Sequence, residues 1–129
     1  RSRVASDFNT LATALETYST DWGHYPAAAD WQALIGELSG GAVGTTPTEN
    51  ITGHPTITGE DGGIVYIKPD TLTAMKNPWT NEDYGYSYDA ATGKWTLSCD
   101  SEKTDIGVLI RTSDSPNLTK QEEAPPPEP

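Results

Sequence analysis

The stretch VASDFNTLATALETYSTDWGHYP, Val4 to Pro26, decides how the rest of the chain has to fold. Its residues Val4, Phe8, Leu11, Leu15, Tyr18 and Trp22 recur at spacings of four, three, four, three and four. On an α-helix that rhythm draws one narrow apolar stripe. Asp7, Asn9, Thr13, Glu16 and Thr17 fall largely on the other faces. Gly23 can close the helix in a left-handed conformation, and Pro26 prevents its resumption. The spacing therefore predicts a helix over about 2–22 that must cover its stripe with a sheet face or a second helix.

Working outward, the next segment, DWQALIGELSGG, reads as a short helix over about 30–38. Asp30 is its N-cap, Trp31, Leu34, Ile35 and Leu38 are its apolar face, and Gly40-Gly41 is its stop. Residues 39–63 are rich in Thr, Gly, Pro and Asn and read as a long variable loop, functional or subunit-facing. Strand signals follow in IVYIK (Ile64 to Lys68), YGYSY (Tyr84 to Tyr88), KWTLSC (Lys94 to Cys99) and IGVLIR (Ile106 to Arg111). DAATG between the middle two suits a hairpin loop. The acidic, Pro-rich end, 121–129, buries too little apolar surface to order itself. The expected architecture is α+β: one domain over 1–120, with the long helix packed on an antiparallel sheet of three to four strands within 64–111.

Composition narrows the function. A length of 129 residues with 34% hydrophobic content allows one domain with a modest core. A formal charge of −11 opposes binding to nucleic acid, whose phosphates repel it, and favours cations such as calcium. No apolar run is long enough to span a bilayer, and no signal-peptide pattern is present. The opening RSRVASDFNT, already in helical rhythm without a Met, reads as part of a longer protein. The single Cys99 cannot close an internal disulfide and suits a buried strand end. Neither His24 nor His54 has an acid and a nucleophile at a catalytic spacing, so no enzyme is expected and no catalytic residue is assigned.

Three segments resemble the bacterial type IV pilin-like family, closest to the major pseudopilin of type II secretion systems. LATALETYSTDWGHYP is similar to that family's helix end, with Asp21, Gly23, Tyr25 and Pro26 matching Asp-x-Gly-x-Tyr-Pro. NPWTNEDYGYSY is similar to its Asp-Pro-Trp-Gly-Asn-Pro-Tyr-x-Tyr segment, retained as Pro78, Trp79, Asn81, Tyr84 and Tyr86. Asn77 stands where an Asp is usual, Thr80 replaces the Gly, and the second Pro is absent. CDSEKTDIG resembles the acidic loop that follows the sheet in pseudopilins.

The resemblance implies a filament subunit. Such proteins are anchored in the inner membrane by an apolar N-terminal helix and cleaved by a prepilin peptidase. An assembly platform then builds them into a homopolymer, together with minor pilins or pseudopilins, in the bacterial cell envelope. The globular domain is periplasmic or extracellular. The implied calcium ligands are Asp100, Ser101, Glu102 and Asp105, with an ordinary solvated acidic turn as the alternative. Val4 and Phe8 are the candidate assembly contacts, and Leu11, Leu15, Tyr18, Trp79 and Trp95 the expected structural core. The rival from another class is a small carbohydrate-binding module, which needs Trp79, Tyr84, Tyr86 and Trp95 as an exposed flat platform.

Overall fold

The computed structural model describes residues 2–44, 64–115 and 119–120. The first helix, α1, spans Ser2–Trp22, as its apolar rhythm requires. Gly23 then turns left-handed at φ 81°, and its N–H donates to the Ser19 carbonyl at 2.7 Å. Helix α2 spans Trp31–Leu38. The Asp30 side chain caps it, accepting the Ala33 N–H at 2.9 Å.

The sheet has four antiparallel strands in the order β1-β2-β3-β4. They are β1 (Gly85–Asp89), β2 (Lys94–Asp100), β3 (Val108–Thr112) and the short β4 (Thr119–Lys120). The β1–β2 hairpin closes with Asp89 paired to Lys94, and Asp89 accepts the Ala91 N–H at 2.9 Å. Tyr86 pairs with Leu97 and Cys99 with Leu109, so these four side chains share one face. That face and the α1 stripe of Val4, Phe8, Leu11, Leu15 and Tyr18 belong to a single hydrophobic cluster. Helix α2 closes the cluster with Trp31, Leu34, Ile35 and Leu38. The molecule is α+β, a long helix and a shorter one covering one side of a small antiparallel sheet.

Three expectations need correction. IVYIK is not a strand: Tyr66 N–H and Ile67 N–H both donate to the Leu38 carbonyl, at 2.8 and 3.1 Å. The segment is therefore tied to the end of α2, and the sheet starts near residue 85 rather than 64. A five-residue run without a strand partner gains more by satisfying the open end of a helix. Directly after it comes an unforeseen helix, α3 (Pro69–Thr73), with Pro at its first turn and Asp70 beside it. Finally, Trp79 is half-buried and packs against the core rather than within it, whereas Trp95 is fully inside. Residues 45–63 of the variable loop expected over 39–63, with His54, and the acidic tail lie outside the described residues.

Candidate functional site

Two regions carry the residues singled out by the sequence: the length of α1 and the loop between β2 and β3. Along α1, Val4 and Phe8 are 0% exposed. Phe8 meets Tyr84 edge to face at 5.0 Å between ring centres. The two proposed contact residues thus belong to the chain's own core, because the same stripe that marks them as apolar runs onto α2 and the sheet. They offer no surface to a neighbour.

The outer face of α1 is different. Ser6, Asn9, Thr10, Thr13, Thr17 and Thr20 are all exposed and uncharged. Each threonine hydroxyl donates to the carbonyl four residues back: Thr10 to Ser6, Thr13 to Asn9, Thr17 to Thr13 and Thr20 to Glu16, at 3.0–3.2 Å. With the hydroxyl turned onto the helix, the methyl groups are left facing outward. Asn9 is further engaged by the Arg111 guanidinium, which reaches it from β3. A groove of about 640 Å³ borders this face, between Thr10, Thr13 and Thr17 and the segment from Ile64 to Ile67.

The helix's three carboxylates flank this face and are each held by a tyrosine of the same chain. Tyr84 donates to Asp7 at 2.6 Å, Tyr25 to Glu16 at 2.6 Å, and Tyr66 to Asp21 at 2.8 Å. Arg3 adds an ion pair to Asp7 at 3.7 Å. The electrostatic consequences fall on the phenols. The bond to the Glu16 carboxylate, then burial, pushes Tyr25 up to about 12. Burial, reinforced by Asp7, pushes Tyr84 further up. Tyr86, buried with its hydroxyl donating to the Pro26 carbonyl at 2.7 Å, is likewise raised, chiefly by burial. Two of these ties are invisible in the sequence because they join residues far apart, 77 and 45 positions, whereas the Tyr25–Glu16 tie spans 9 positions across the turn at Gly23. The only available signal is the excess of tyrosine over phenylalanine, six against one, in a chain whose buried rings need a polar end near an acidic helix.

The β2–β3 loop holds the calcium candidates. Asp100 ends β2 and is exposed, its carboxylate accepting the Glu102 N–H at 2.9 Å. Ser101 turns inward and is 1% exposed. Its hydroxyl donates to the Gly107 carbonyl at 2.8 Å and accepts the Lys103 N–H at 3.1 Å. Glu102 has a left-handed backbone, φ 58°, and Asp105 is exposed on the following turn. Among the described residues no three acidic, His or Cys side chains come together as a metal-holding group. Calcium needs six to eight converging oxygens. Here the Ser101 oxygen is engaged within the loop, and Asp100, Glu102 and Asp105 form no such group among the described residues.

The sugar platform fares no better. Tyr84, Tyr86 and Trp95 are all buried against the helices, which leaves only Trp79 partly open. Stacking on a sugar ring needs exposed ring faces, and three of the four have none. Compared with family models, curated proteins and solved structures, the chain matches none.

Proposed function

We propose that this chain is the globular domain of a structural subunit in a type IV pilin-like filament. The filament is a type II secretion pseudopilus or a related short-subunit type IV pilus, assembled from inner-membrane precursors in the bacterial cell envelope. The observation that carries the reading is the outer face of α1. It is an uncharged, methyl-bearing face on a 21-residue helix, in a chain with a net charge of −11. Copies this acidic repel one another, so they can pack side by side only through surface without free negative charge. Asp7, Glu16 and Asp21 are already engaged by Tyr84, Tyr25 and Tyr66. Those bonds hold the carboxylates to their own chain without cancelling their charge, and the face they flank, Thr10, Thr13, Thr17 and Thr20, carries none. Exposed threonine methyls allow close backbone approach, which favours helix-on-helix contact.

The order of elements supports the same reading. A long first helix ending in Asp21, Gly23, Tyr25 and Pro26 leads through a half-buried Pro-Trp loop onto an antiparallel sheet. The domain's work is mechanical: it holds the helix rigid and keeps its own face outward while the filament grows. Its partners are copies of itself, minor pilins or pseudopilins, the assembly platform and the prepilin peptidase.

The test is assembly of the full-length precursor by a type IV filament machine, read by electron microscopy. Wild type is expected to form filaments. Thr13→Glu/Thr17→Glu, which puts two charges on the outer face, is expected to abolish them. The isolated domain carrying the same changes should unfold within about 0.5 kcal/mol per site of wild type, as exposed positions do. Filaments from the double variant at wild-type yield, or none from wild type, would defeat the proposal.

A further inference from the structure

The loop between β2 and β3 is held from within the chain, by a side chain of the Pro-Trp loop. Asn77 is 4% exposed and sits at the start of the Pro-Trp loop. Its side-chain oxygen accepts the N–H groups of Trp79 and Thr80, at 2.9 and 3.3 Å. Its side-chain nitrogen donates to the Asp100 carbonyl at 2.8 Å, across 23 residues. The backbone of the same residue accepts the Asn81 N–H at 2.7 Å and donates to the Glu82 carbonyl at 2.9 Å. Two donors surround one side-chain atom and a carbonyl faces the other, so only one orientation of the amide satisfies them all.

Asp100 is the residue at which β2 passes into the loop. From there the loop closes on itself. Ser101 N–H and its hydroxyl both donate to the Gly107 carbonyl, at 3.1 and 2.8 Å. Gly107 N–H returns a bond to the Lys103 carbonyl at 2.7 Å. Each of these oxygens thus already has an N–H or O–H donor.

We propose that the Asn77 amide latches the end of β2 and its loop in the role a cation would otherwise fill, so that the domain keeps its full stability without calcium. The chemistry turns on one atom. A carboxylate at position 77 keeps the bonds from Trp79 and Thr80 but aims a second oxygen at the Asp100 carbonyl. Two facing oxygens repel unless a proton or a metal ion lies between them. An amide supplies the missing positive hydrogen itself. This also gives a physical meaning to the asparagine standing where the resembled segment carries an aspartate.

The inference rests on the filament reading only for its expectation of calcium, and its test does not involve filaments. Thermal unfolding of the 129-residue chain is measured in excess calcium chloride and in excess EDTA. The midpoints are expected to coincide. In EDTA, Asn77→Asp and Ser101→Ala are each expected to melt lower by on the order of 5 °C or more. A calcium-dependent rise in the wild-type midpoint overturns the proposal, as does an Asn77→Asp variant that melts with wild type. The wild-type comparison decides the matter even if the variants do not fold.

Discussion

Single residues in this protein act mainly by finishing hydrogen bonds that the fold leaves at long range. Tyr84 shows the principle: its ring packs edge-on against Phe8 and Trp31, while its hydroxyl ends on Asp7. The ring placement could be expected from the aromatic alternation in YGYSY, but the Asp7 partner could not, because 77 residues separate them. Tyr84→Phe keeps the packing and leaves a largely buried carboxylate with, among the described residues, Arg3 at 3.7 Å. A loss of about 1–3 kcal/mol in urea unfolding is expected, because the acceptor and not only the bond is affected. A double-mutant cycle with Asp7→Asn should recover most of that loss as coupling; independent, additive losses would show that the two side chains do not act as a pair.

Among the elements, α1 divides its roles by face. The inner stripe belongs to the core, and Phe8→Ala is expected to cost about 3–5 kcal/mol in unfolding free energy. That prediction reverses the expectation that Phe8 serves assembly: a Phe8 variant that unfolds like wild type would put the residue back on the surface. The stripe was legible in the sequence because helical periodicity marks which residues are buried. It could not say whether they are buried against the same chain or another. IVYIK failed for a related reason. Its composition is that of a strand, but strand formation needs a partner edge, and the open carbonyl of Leu38 claimed its N–H groups first. The local signal for α3 is the Pro69-Asp70 pair that starts it.

At the scale of the whole molecule, buried acids that ionise only at high pH set an alkaline limit. Burial raises Cys99 from 9.0 to about 11 and lifts Tyr84 and Tyr86 well above 10.0, while the bond to Glu16, then burial, raises Tyr25 from 10.0 to about 12. All four are neutral when protonated, and folding favours the protonated form. Their contribution is complete below the unfolded values of 9.0 and 10.0, and declines as pH rises through the folded ones. Stability should therefore begin to fall above pH 9, and more steeply above pH 10. Denaturant midpoints across that range provide the check, and a flat profile would contradict the burial of these groups. By itself, the sequence determined α1, α2, the β1–β2 hairpin and the α+β class, because helical and strand periodicity are local properties of side-chain spacing. Only the tertiary structure decided which face of α1 stays open, that tyrosines tie off its carboxylates, and that Asn77 reaches Asp100. Those depend on groups brought together across the chain, where burial leaves each polar atom in need of a partner that no local pattern can name.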